Sequence, residues 1–411
     1  MHTTIFYVIV ILIVLGFAWD RFLLYLNTTR WSDKIPPELE GIYDADKYAK
    51  QQQYSKVNHK FGWITGIYGM LLVLAMLFFE GFAWLDSWVL TFTDHEILRA
   101  IIFLGVLGLG STILNIPFSI YSTFVIEERF EFNKTSPRTF VFDLFKSLAI
   151  GAVLGGGILA LIMWFVQIAG EWFWLYAWGL MTVFMLFITM FYTSFLLPLF
   201  NKQTPLEDGE LKTGIQEFCK KVGFKLDNIY IMDGSKRSTK ANAFFSGLGS
   251  RKRIVLYDTL VNDLKVDEIV GVLAHEIGHY KKKHTLWGMI SGIAQTGIML
   301  YIFSLFVYSP ELSAALGVQE PAFHIGLIAF GILYSPISGI SGLFSTLISR
   351  KNEYEADAFA ATYHNSESLI KALKTISVNA LSNLTPHPWF VFFHYSHPPL
   401  LARVKALRKY N

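Results

Sequence analysis

The chain has 411 residues, of which 53% are hydrophobic and 16% charged, and its mean hydropathy is +0.40. Soluble domains carry about 25% charged residues, so this composition excludes a chain that lives wholly in water. A net charge of +3, dispersed along the sequence, excludes nucleic acid as a partner, and the single Cys219 excludes both an intrachain disulfide and a cysteine-based zinc site.

In chain order, apolar blocks long enough to cross a bilayer, about 20 residues each, fall at 3–26, 61–79, 100–126, 147–168, 172–200, 285–308 and 323–349. Asp20 and Arg21 interrupt the first near its end. It has no basic stretch before it and no small-residue cleavage site after it, so it reads as a retained span and not a signal peptide. Gly151, Gly155, Gly156 and Gly157 in the fourth let neighbouring helices approach closely. Pro336 in the seventh predicts a kink rather than a break. Lys and Arg test the count. The loops between successive spans hold six, one, four, none, fifteen and none, and the tail holds eight. Seven spans put every rich segment on one face, which the positive-inside rule assigns to the cytoplasm.

The expected fold class is therefore a polytopic α-helical membrane protein, with the bilayer as an obligatory partner. Five spans lie in 1–200 and two more in 285–349. The polar segments 201–284 and 350–411 share the cytoplasmic face and are expected to fold together as one cap. Within the first, 215–222 reads as an amphipathic helix, and 228–232 and 253–257 as short strands.

The segment Val266–His284 reads VDEIVGVLAHEIGHYKKKH. Ile269, Val272, Leu273 and Ile277 recur at helical spacing, so it is a helix with one apolar face. His275 and His279, four apart, project from the same side and can reach one metal ion, the logic of H-E-x-x-H zinc sites. Glu276 beside the first histidine is placed to take a proton from a zinc-bound water. Lys281, Lys282 and Lys283 read as membrane-boundary anchors and His284 as an interfacial residue. A catalytic zinc site uses three protein ligands and one open position. Since Thr285 stands where a third histidine of the longer motif would be, a carboxylate must come from elsewhere. Arg350–Ala360, RKNEYEADAFA, supplies one: Glu353 as ligand, with Asp357 one turn on as partner of a ligand histidine. Glu355 is the rival acid and points away from Asp357. The cofactor expected is one zinc ion per chain.

These residues, with EERFEFNKTSPRTF (Glu127–Phe140), PLFNKQTPL (Pro198–Leu206), GSKRSTKANAFFSG (Gly234–Gly247), RIVLYDTL (Arg253–Leu260) and SHPPLLAR (Ser396–Arg403), resemble the type I CAAX prenyl proteases. Those are integral-membrane zinc metalloendopeptidases that act on prenylated proteins. The resemblance implies seven transmembrane helices enclosing a chamber, capped by a small α+β gluzincin-like zinc protease domain. It implies His275, His279 and Glu353 as zinc ligands, Glu276 as general base and acid, and Asp357 as the residue that orients a ligand histidine. It also implies that Asn242 contacts the substrate backbone or scissile carbonyl. His397 and Arg403 would sit near the metal, stabilising the oxyanion or placing the tail helix. The strand at 253–257, or the neighbouring 241–245, would pair with an extended peptide by strand addition. The partner is a peptide or protein substrate, prenylated in the family's case; the oligomeric state is open, and a monomer is compatible.

The short segment 309–322 between the last two spans, and the lack of a retrieval signal after Lys405, favour a prokaryotic inner membrane, with the endoplasmic reticulum as the eukaryotic counterpart. Two other readings compete. Quality-control proteolysis of misfolded or translocon-jammed membrane proteins would ignore a substrate's lipid. A transporter or scaffold with an inert zinc site is opposed by the near absence of ionisable residues from the spans.

Overall fold

The computed structural model describes residues 3–226, 228–246 and 253–410; Gly247, the end of the GSKRSTKANAFFSG motif, lies outside them. Backbone polar groups cannot stay unpaired in lipid, so the apolar blocks have only the helix open to them. Helices α1 (Thr4–Thr28), α2 (Ala45–Phe78), α3 (Gly81–Leu90), α4 (Glu96–Tyr121), α5 (Pro137–Ile150), α6 (Gly156–Ala169) and α7 (Phe173–Phe191) fill the N-terminal half.

The chain then leaves the membrane. It forms β1 (Gln203–Pro205), α8 (Glu210–Lys221), β2 (Asn228–Met232), β3 (Ala243–Ser246), β4 (Arg253–Tyr257), α9 (Asp258–Asp263) and α10 (Val266–Lys281). It returns through α11 (His284–Phe306), α12 (Pro310–Ala315) and α13 (Phe323–Tyr363). It ends in α14 (Ser366–Asn379), α15 (Pro388–His394) and α16 (Leu400–Leu407).

Among the described residues six helical runs are long and apolar enough to span a bilayer, and one of them, Pro137–Leu199, is 63 residues. As one straight helix it would reach about 95 Å, three times the hydrocarbon thickness. It instead doubles back at Gly170, whose φ of +51° favours glycine, so that α6 and α7 pack on one another. That reversal makes seven passes of six runs.

The passes close into a ring. α1 packs on α2, and α2 meets α4 through Phe61 and Tyr68 against Phe118 and Tyr121. α4 packs on α6, α7 on α11, α11 on α13, and α13 returns to α1. Only 6–17% of the residues in each apolar window are buried. A solid bundle of seven would bury its inner face, so the wall is one helix thick around a hollow. α3 and α12, in segments between the expected spans, plug the end away from the cap. Phe82, Leu85, Leu312 and Leu316 there pack with Phe6, Phe103 and Ile325. Inside this plug Asp86 accepts from Arg99 at 2.8 and 2.5 Å and lies 2.8 Å from His324 Nε2, tying α3 to α4 and α13.

At the other end a four-stranded sheet of order β1-β2-β4-β3 carries the cap. β2 and β4 are parallel, with Ile229 opposite Ile254, and β3 is antiparallel to β4 and forms one edge. α8, α10, α14 and α16 cover the sheet in one core containing Ile254, Leu273, Leu369 and Leu407. The segment after α1 joins it through Leu39 and Tyr43. Helix α13, 41 residues or about 60 Å long, is twice a bilayer's thickness. It therefore carries span seven straight into the cap, unbroken at Pro336.

Candidate metal centre

The HEIGH turn of α10 is driven inward by its own apolar face: Ile269, Leu273, Ala274 and Ile277 are each at most 1% exposed. His275 and His279 therefore rise from the inner side of the helix. α13 crosses next to them, and the crossing is tight because Gly278 has no side chain; a Cβ there would stand 3.1 Å from Ala356 Cα. Glu353 and Asp357, one turn apart on α13, are thereby set against the two histidines.

His275 Nε2, His279 Nε2 and the Glu353 carboxylate converge, with ligand atoms within 4.8 Å of one another. The two imidazole nitrogens are 3.2 Å apart, and Glu353 oxygens lie 3.4 Å from His275 and 3.2 Å from His279. Glu353 Oε2 is buried and takes no hydrogen bond among the described residues. Burial alone would lower the His275 pKa, but hydrogen bonds to Asp357 and Glu353 raise it to about 9. The cluster thus calls for a positive charge, and its two neutral imidazoles and one carboxylate are the donor set of a zinc site with an open position. The residues fit the metal.

The surroundings orient these ligands. Asp357 Oδ1 is 2.9 Å from His275 Nδ1. Arg403, 8% exposed, donates to both Asp357 oxygens at 2.9 and 2.6 Å and comes within 3.4 Å of Glu353. It reaches this position from α16, so it fastens the tail helix to the site. His397 Nε2 is 3.3 Å from Glu353 Oε1 with a mostly exposed ring, at the mouth. Arg350, one turn before Glu353, holds His397's segment by donating to the Val391 and Tyr395 carbonyls at 3.0 and 2.5 Å. A cavity of about 770 Å3 adjoins His397 and Arg403 and is lined further by Trp31, Tyr54, His59 and Lys240.

Glu276 is partly exposed and makes no hydrogen bond or ion pair among the described residues. Burial pushes its carboxyl above the usual range, with His275 and His279 pulling the other way. Asn242 is exposed just before β3, where its Oδ1 accepts from Ala243 N at 2.9 Å and its carbonyl accepts from Tyr257 N at 3.0 Å. β3 is the edge strand, and α10 packs beside it.

Two residues given no part in the site by the sequence lie against it. His284 is not merely interfacial: its Nδ1 lies 3.1 Å from His279 Nδ1. Glu355, the rival acid, has its Oε2 3.2 Å from His284 Nε2, so it belongs to the surroundings of the site. Arg350 heads the RKNEYEADAFA segment, but its sequence alone gives it no role of its own.

Comparison with known proteins agrees with this architecture. Residues 25–202 match the family described as CAAX prenyl protease N-terminal, five membrane helices, and residues 205–411 match peptidase family M48. CAAX prenyl protease 1 of Saccharomyces cerevisiae is 35% identical, the match covering 95% of this chain and 92% of that one. The Homo sapiens CAAX prenyl protease 1 homolog is 30% identical over 95% and 93%. The crystal structure of S. mikatae Ste24p superposes with a TM-score of 0.92 at 33% identity, covering 99% of this chain and 100% of that one.

Proposed function

The chain belongs to the CAAX prenyl protease family within peptidase family M48, and from that premise we propose that it is a zinc-dependent membrane endopeptidase. It holds one ion per chain and cuts near the C-terminus of prenylated CAAX-type substrates. The observation that carries the reading is the convergence of His275, His279 and Glu353, with Glu276 beside them and free of hydrogen bonds among the described residues. His275, His279 and Glu353 would hold the metal, which when bound supplies Lewis acidity that lowers the pKa of its water to about 7.

The protein's own groups do the rest. Glu276 accepts the proton of the attacking water and passes it to the leaving amine. Asp357 receives the His275 Nδ1–H and fixes that ring's tautomer, while Arg403 keeps Asp357 ionised and in place. His397, at the mouth, donates to the oxyanion that develops on the scissile carbonyl. The free edge of β3 pairs with an extended substrate, and Asn242 at its start binds the peptide next to the cut. Backbone pairing makes few demands on side chains, which suits a short C-terminal segment of variable sequence. The loops rich in Lys and Arg support a cytoplasmic position for this site.

The test is Glu276→Gln in purified protein, assayed with one peptide sequence in farnesylated and plain forms. The variant should keep its zinc and lose cleavage by at least a hundredfold, within the range for a general base; wild-type activity in the variant would end the mechanism. Equal cleavage of both peptides by the wild type would move the assignment to lipid-blind proteolysis of membrane proteins.

A further inference from the structure

His275 has a carboxylate directly on its second nitrogen, 2.9 Å away in Asp357. His279 has none, and histidines that bind metal nearly always donate that second N–H to an acceptor. The acceptor here is another histidine. His284 Nδ1 lies 3.1 Å from His279 Nδ1, and its far nitrogen lies 3.2 Å from Glu355 Oε2. We infer that His284 and Glu355 are a positioning relay for the second metal histidine, a role that rests on the zinc reading of the site above.

The hydrogen bonds allow one assignment of protons. His279 presents Nε2 toward Glu353 and His275, so its Nδ1 carries the hydrogen. That N–H donates to His284 Nδ1, which must then be the unprotonated nitrogen of its ring. His284 Nε2 carries the hydrogen and donates to Glu355. The other Glu355 oxygen faces Lys351 Nζ at 3.8 Å. The His284 side chain is only 9% exposed, so water does not easily replace either contact.

The backbone is shaped for this contact. In an unbroken helix a residue five positions on lies about 140° around the axis and could not meet His279. The break occurs at Lys283, a lysine in the left-handed region with φ 60° and ψ 25°. Residues other than glycine adopt that conformation at a cost, and such positions gather at functional sites. After it α11 begins, and its first residue, His284, faces back toward His279. Glu355 arrives from α13 two residues after the ligand Glu353, so both zinc-facing helices and the span-six helix meet at this one hydrogen-bonded chain.

The experiment is zinc affinity by competition with a chromogenic chelator, using the full chain in detergent, with the melting temperature of the zinc-free form as control. His284→Leu should bind zinc ten- to a hundredfold more weakly with its zinc-free melting temperature unchanged. Glu355→Gln should stay near wild type, because the amide oxygen accepts the same N–H, whereas Glu355→Leu should lose affinity. Wild-type affinity in His284→Leu, or equal affinity in the Gln and Leu variants at 355, would overturn the relay. Should His284→Leu fail to fold, the pair at 355, a side chain 39% exposed, decides alone. Zinc bound by the wild type separates these outcomes from failure of the site itself.

Discussion

Gly278→Ala perturbs the site without touching any group that does chemistry. The added methyl would stand 3.1 Å from Ala356 Cα, 3.1 Å from Phe359 Cβ and 3.2 Å from the Ala356 carbonyl oxygen. Relaxed carbon contacts lie at about 3.5–4.0 Å. The obstacle is the backbone of α13, so no rotamer relieves it, and the two helices must separate by a few tenths of an ångström. Overpacking of this kind costs about 1–3 kcal/mol, and alanine's better helix propensity returns up to about 1 kcal/mol. With the full return, a net loss of about 0–2 kcal/mol in stability follows.

The larger effect is on the metal. Glu353 and Asp357 ride on α13 three residues before and one after Ala356, and they move away from His275 and His279 with it. Contacts now at 3.2–3.4 Å and 2.9 Å all lengthen together. Zinc affinity should fall at least tenfold, or about 1.4 kcal/mol, alongside a lower melting temperature read by tryptophan fluorescence. An alanine variant with wild-type zinc affinity would show that the helix crossing does not set the ligand distance.

Two further substitutions probe the frame around the site. Lys283→Gly places the one residue type that adopts φ 60° without steric cost, and should stabilise the protein by about 1 kcal/mol while leaving zinc affinity unchanged; a lower melting temperature would refute strain at that turn. Asp86→Ala strips Arg99 of its bidentate partner inside the plug of α3 and α12. The largely buried guanidinium should then cost about 3–5 kcal/mol, read as a fall in melting temperature with zinc affinity intact, because the plug is at the opposite end of the ring.

Much of this was legible because lipid leaves few options. A long apolar block has to be a helix, so the span positions and their alternating charge could be read before any fold was known. β2 and β4 were equally plain, since β-branched and aromatic residues bounded by charge leave little else. The histidine pair and Glu353 followed from the arithmetic of helix faces and zinc coordination. The same arithmetic failed at His284. Helical spacing turns residue 284 away from residue 279, and only the left-handed Lys283 brings it back. Lysine has no preference for that conformation, so no sequence signal announced the break. α3 and α12 were missed for a different reason, being too short to span and without one clear apolar stripe.

The remaining gap concerns contacts between segments far apart in the chain. EERFEFN at 127–133 and GSKRSTK at 234–240 lie about a hundred residues apart in the chain. In the fold they are partners: Asn133 bridges Ser238, Thr239 N donates to the Phe132 carbonyl, and Lys240 joins Glu127 at 2.8 Å over the Phe132 ring. Arg237 likewise holds Asp143 with two bonds, at 2.7 and 2.9 Å. These ties anchor the approach to β3 on the ends of spans three and four. The polarity change at 349/350 is similar in kind: it marks where lipid gives way to water, while α13 passes through unbroken. The membrane ring and the cap therefore position one site jointly. A perturbation deep in span seven has a direct mechanical route to Glu353, along one helix that continues through Pro336 into the cap.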